Sequence, residues 1–155
     1  MAFQIQALAP DQFAPQFALS DAALVQANAR RIIVSEHPGT PCRVSLSDAE
    51  VGETVILTHF THQPAASPFR SSHAIFVRQN AMQAHPAPNV VPAMLRALLI
   101  SLRAFDVADM MVMADVVDGQ DLAAALDHSF ANPAVAYIHL HIAKQGCFAA
   151  SVVRA

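Results

Sequence analysis

A chain of 155 residues matches one ordinary domain, large enough to bury a core that needs no covalent staples. Hydrophobic residues make up 54% and charged ones only 14%, so some apolar surface is left to face a partner subunit, and a homodimer is one expectation. The net charge of -3, with nine Lys and Arg scattered along the chain, argues against an electrostatic nucleic-acid binder.

The N-terminal stretch MAFQIQALAPD has no basic n-region, and Gln4, Gln6 and Pro10 interrupt its apolar part, so it does not read as a signal peptide. The longest apolar run, ALLISL, is too short to span a bilayer. A soluble, cytoplasmic protein without membrane contact is expected. Cys42 and Cys147 are far apart and belong to no CxxC pair, which predicts reduced thiols and neither a disulfide framework nor a zinc ribbon.

In chain order, FQIQAL alternates apolar and polar residues as a half-buried strand does. A short helical piece after Pro10 carries Phe13 and Phe17, and Ser20 reads as the N-cap of a helix running toward Arg30, before a strand at RIIV. EHPGTP is a turn, PCRVSL is irregular or extended, and TVILTHF and SSHAIFVR are strands joined by the loop THQPAASPFR. Two apolar runs, ALLISLRAFD and MMVMADVV, flank the turn VAD. DGQDLAAALDHSF is the clearest helix, with Asp118 as candidate N-cap and Leu122, Ala125, Leu126 and Phe130 on one stripe. VAYIHLHIA and CFAASVV close the chain as strands. The order predicts a single α+β domain over 1–155, with about eight largely antiparallel strands and two or three helices.

Hairpin register then decides which side chains share a face. A three-residue loop KQG, with Gly146 in the left-handed conformation, pairs Ala143 with Cys147, His141 with Ala149 and His139 with Ser151. One face is then apolar, including Ile138, Leu140, Ile142 and Phe148, while Tyr137, His139, His141, Cys147 and Ser151 share the other. A four-residue loop would mix the two sets. The same logic around VAD puts Leu98, Ile100, Leu102, Val112, Ala114 and Val116 on a core face, with Ser101, Arg103, Met111, Met113 and Asp115 opposite.

His139 and His141 point to one side of a strand, roughly 6 to 7 Å apart, a spacing that can chelate a metal, with Cys147 as a third ligand. Alternatively, an imidazole beside Cys147, or beside Cys42 with Arg43, could activate a thiolate nucleophile. The plainer reading is that both cysteines are inert and buried. PFRSSHAIFV gathers Arg70, Ser71, Ser72 and His73 where a loop enters a strand, a set suited to an oxyanion or carboxylate. The plainer reading has the serines satisfying loop backbone and His73 packed in the core. His59 and His62 read as solvated loop histidines, His37, His85 and His128 as surface residues, and Met110, Met111 and Met113 as core filler. No P-loop, GxGxxG, GxSxG or HExxH is present.

At PCRVSL, SSHAIFV, SLRAFD, ADVVDG and HLHIAKQGCFAA the chain resembles the family of small bacterial proteins known as domain of unknown function 1203. The resemblance implies a single-domain bacterial protein and brings no catalytic residue with it.

The leading expectation joins Arg43, Arg70, His73, His139, His141 and Cys147 in one pocket for a small anionic molecule. Ser72 and Arg103 serve as further binding groups, and acid-base chemistry by a histidine is the catalytic option. The rival is a non-enzymatic homodimeric domain burying Met111, Met113 and Tyr137 at its interface. A metal-binding protein using His139 and His141 comes third.

Overall fold

Phe3 and Ile5, alternating with Gln4 and Gln6, form β1 (Phe3–Gln6) and are both buried; the computed structural model describes residues 2–155. Pro10 opens a 3-10 turn, Pro10–Gln12, and α1 (Ala14–Phe17) follows. Ser20 caps α2 (Asp21–Gln26), its hydroxyl accepting the Ala23 N–H at 3.2 Å. Asn28, with φ 55°, turns the chain out of that helix, so β2 (Ala29–Ile33) begins before Arg30. Then come β3 (Thr54–Gln63), β4 (Ser71–Arg78), α3 (Ala93–Arg96), β5 (Leu99–Phe105), β6 (Met111–Asp118), α4 (Leu122–Ala131), β7 (Tyr137–Ile142) and β8 (Phe148–Arg154).

The fold is α+β, as the sequence predicts, but its antiparallel strands divide into two sheets. Five pair in the order β1-β8-β7-β5-β6, and three in the order β2-β3-β4. One face of the larger sheet carries Ile100, Leu102, Ile138, Leu140 and Val152 against Leu95 of α3 and Leu122, Leu126 and Phe130 of α4. Each such buried side chain contributes roughly 1.5–3 kcal/mol, which makes this layer the main core. The other face meets the smaller sheet, where Phe60 of β3 lies 6.1 Å from Phe148 of β8. Among the described residues no helix is long and apolar enough to cross a membrane.

At α4 the cap position belongs to Asp121. Asp118, the expected cap, instead accepts the Gln120 N–H at 2.9 Å and holds the preceding turn. Gly119 sits so close to α3 that a Cβ there would lie 2.0 Å from the Leu95 carbonyl oxygen, leaving room for glycine alone.

Both C-terminal hairpins depart from the simple register through β-bulges, and each bulge reassigns faces. In β5–β6 the VAD turn closes as expected, Asp106 N–H donating to the Met110 carbonyl at 2.9 Å. A bulge next to Phe105 then pairs Ile100 with Val117 and Leu102 with Asp115. Met113 and Val117 therefore pack on the core, while Val112 and Val116, expected inside, are 41% and 57% exposed. In β7–β8 the turn has the four residues Ala143–Gly146, with Ile142 N–H donating to the Cys147 carbonyl at 2.9 Å and Gly146 at φ 78°. A bulge next to His141 restores the expected pairs His139↔Ser151 and Leu140↔Ala150. Near the turn it exchanges two residues: Phe148 joins the histidine face, and Cys147 joins the core side.

Candidate metal centre

β7 places His139 and His141 on one face, with ring centroids 6.4 Å apart. β3 supplies a third imidazole. Its register with β4 shifts between Phe60 and Gln63, and His62 comes within 4.7 Å of the His141 ring and 6.1 Å of the His139 ring. One ring nitrogen from each histidine lies within 4.8 Å of the other two. All three are buried, at 8%, 7% and 1% exposure for His62, His139 and His141. Phe148 backs the group, stacked on His62 and edge-on to His139 and His141.

The hydrogen bonds leave lone pairs available. The Gly146 carbonyl can only accept, so His141 Nδ1 donates to it at 3.0 Å, which fixes the tautomer and leaves Nε2 as a bare acceptor. His62 Nε2 meets the Ser71 hydroxyl at 3.1 Å. His62 Nδ1, His139 Nδ1 and His141 Nε2 are buried without a hydrogen-bond partner among the described residues. Three orphaned polar atoms in one cluster are a departure from normal interiors and call for an explanation. Burial pushes His62 and His139 down to about 4 and His141 to about 3, with the Arg103 charge adding to each. All three imidazoles are therefore neutral near pH 7, the form that ligates metals.

His62 and His141 open on a cavity of about 280 Å³ whose wall also includes Arg70, Ser71, Arg103 and Phe105. Arg103 is half-buried, its Nε donating to Ser101 Oγ at 3.4 Å, and Arg70 is anchored at its rim by the Pro64 carbonyl at 3.2 Å. Beside the histidines, Gln63 Nε2 donates to Tyr137 Oη at 2.8 Å and Tyr137 donates to Asp109 at 2.7 Å. Burial pushes the Tyr137 phenol up to about 12, so it stays a donor. Zinc–nitrogen bonds near 2.1 Å in a tetrahedron set nitrogens roughly 3.4 Å apart. Small ring movements inward from the observed spacing would reach that geometry.

The residues singled out from sequence thus divide between two places. His139, His141, Arg70 and Arg103 gather at the triad and its cavity. Arg43, His73 and Cys147 line a second cavity. Cys147 stands apart from the two histidines because the β7–β8 bulge turns it to the core side, where its Sγ accepts from Arg43 Nη2 at 3.0 Å. Ser72 is exposed. Cys42 is buried in a small apolar cluster with Val44, Ile75 and Val77, and its sulfur accepts backbone N–H groups of Ser45 and Arg78. His62, read from sequence as a solvated loop histidine, is the third member of the triad because β3 continues to Gln63. The inward alternation Ile56, Thr58, Phe60, His62 was the signal that could have placed it. His59 is exposed, as are His37, His85 and His128.

A family model described as Protein of unknown function (DUF1203) matches residues 39–154. The chain belongs to this family. The DUF1203 match takes in the whole triad and both arginines of its cavity, along with Arg43 and Cys147, and leaves β1 through β2 outside it. No curated protein and no solved structure matches the chain.

Proposed function

We propose that His62, His139 and His141 hold one divalent ion of the zinc class, and that Arg70 and Arg103 draw a small anionic ligand to the coordination position left open toward the cavity. The observation that carries this reading is the convergence of three buried imidazoles, each with a nitrogen that no described residue satisfies. Three neutral nitrogen donors plus one open position is the donor set of catalytic rather than structural zinc sites, which close with four protein ligands. The ion would act as a Lewis acid toward the anion, and the His141 bond to the Gly146 carbonyl is the outer contact that orients such a ligand. Imidazole donors without thiolate suit zinc, and equally accept cobalt as a spectroscopic substitute.

Cobalt titration of protein freed of metal by chelation tests the proposal. A saturable visible band at one equivalent is expected, shifted by azide or acetate and lost in His62→Ala and His141→Ala. A featureless spectrum from folded protein would remove the proposal, and a band indifferent to anions would remove its second half.

One observation favours a homodimer as a second reading. β6 is the edge of the larger sheet and presents Val112 and Val116 to solvent, an unpaired apolar edge that a second copy could cover about a two-fold axis. Met113 packs on its own core and Met111 lines the triad cavity, so the outward valines replace them as the contact. The free thiols of Cys42 and Cys147 suit a reducing cytoplasm, and the family resemblance suits a bacterial source.

A further inference from the structure

A second cavity, of about 430 Å³, lies where β4, the end of α3 and the β7–β8 turn come together. Leu57, Phe76, Met94, Leu98 and Ile142 make it mainly apolar, yet the Arg43 side chain forms part of its wall. Arg43 is 1% exposed, and burial of its guanidinium is the main influence on it. A guanidinium has five N–H donors. Three are accounted for: Nε donates to the Phe148 carbonyl at 2.7 Å, Nη1 to the Pro41 carbonyl, and Nη2 to Cys147 Sγ at 3.0 Å.

Those acceptors are two neutral carbonyls and a sulfur, and among the described residues Arg43 makes no ion pair with a carboxylate. Asp48, which lines the same cavity, accepts the Gly39 N–H at 3.1 Å instead. A guanidinium stays charged even when buried. Asp48 and Cys147 act on Arg43 through their fields without a carboxylate bonding to it. A buried cation with spare donors and no paired carboxylate is costly, a cost that an anion brought from outside relieves further.

We propose that this cavity binds a small amphipathic carboxylate, with its head on the remaining N–H groups of Arg43 and its chain along Leu57, Phe76, Met94 and Leu98. One guanidinium in a mainly apolar cavity suits a monoanion, whereas a phosphate dianion needs more donors than Arg43 has left. None of these residues lines the triad cavity, so the site is independent of any metal.

Octanoate and octan-1-ol, equal in chain length and different in charge, are the probes, titrated calorimetrically into the full chain with chelator present. Octanoate should bind at one site, at least about tenfold more tightly than the alcohol, and should slow alkylation of Cys147 as read by peptide mass spectrometry. Ala97→Trp, at the exposed rim of the cavity, should abolish binding without altering the unfolding midpoint. Arg43→Met should reduce octanoate to the level of the alcohol where circular dichroism shows the fold intact. If Arg43→Met does not fold, the alcohol comparison and Ala97→Trp decide. No saturable octanoate binding, equal affinity for the alcohol, or binding that survives Ala97→Trp would each overturn the proposal. The chelator keeps that failure distinct from failure of the metal site.

Discussion

His62 and Phe148 stack nearly parallel, with ring centroids 5.6 Å apart and planes 7° from each other. One residue comes from the three-stranded sheet and the other from the five-stranded sheet, so this contact carries the third imidazole to the two on β7. Phe148 also touches both of those rings. Phe148→Ala should cost about 3–5 kcal/mol of stability, as deletion of a buried aromatic ring does. Metal affinity should fall about tenfold or more, as for loss of a group that orients ligands. Urea unfolding and a competitive zinc titration on the folded fraction measure the two effects; unchanged affinity would show that Phe148 only fills space.

The metal-free protein should lose stability as the pH falls. Burial places the three histidines at about 4, 4 and 3 when folded, against 6.5 in the free side chain. Below about pH 6.5 the unfolded chain therefore binds protons that the folded chain does not, and the folded state is favoured less with each step downward. The loss is fully absent above the unfolded value and grows until the folded values are reached. Each histidine contributes about 1.4 kcal/mol per pH unit in that window. Exposed His37 is raised, chiefly by its bond to the Ala49 carbonyl, and acts in the opposite direction. Urea midpoints in chelator from about pH 7 to pH 5 should fall steadily; a flat profile would contradict the burial of the triad.

Gly119→Ala should destabilise the fold by about 2–4 kcal/mol, because the added methyl meets the Leu95 carbonyl and forces α3 away from β6. Thermal melts measure it. A near-neutral effect would mean that α3 can move without loss of the core.

If β6 is a dimer edge, light scattering at about 50 µM, well above a micromolar dissociation constant, should give twice the chain mass. Val112→Lys combined with Val116→Lys should return it to the monomer with the unfolding midpoint little changed, since edge lysines block strand pairing. A monomeric parent protein would exclude this contact.

The α+β class, the strand at FQIQ, the Ser20 cap and the 6.4 Å separation of His139 and His141 were legible because each follows from local periodicity or capping. Faces near the turns were not. The sequence around Phe105 and His141 shows no mark of the bulges that send Val112 and Val116 outward and exchange Phe148 with Cys147. A bulge is selected by packing between elements distant in sequence, here the meeting of two sheets, and a single inserted residue reverses the face. His62 was missed for a related reason. Its neighbours Thr61 and Pro64 read as loop, whereas the strand pairing that keeps it extended comes from Ser71, beyond the loop.

The most direct test of the metal centre is the zinc content of protein purified without a histidine tag, supplied with zinc and passed through gel filtration. The histidine triad predicts about one ion per chain for the parent protein, and a stoichiometry near zero for His141→Ala, with both folded by circular dichroism. Folded parent protein that emerges free of zinc, or His141→Ala that retains a full equivalent, would contradict the assignment of His62, His139 and His141 as a metal site.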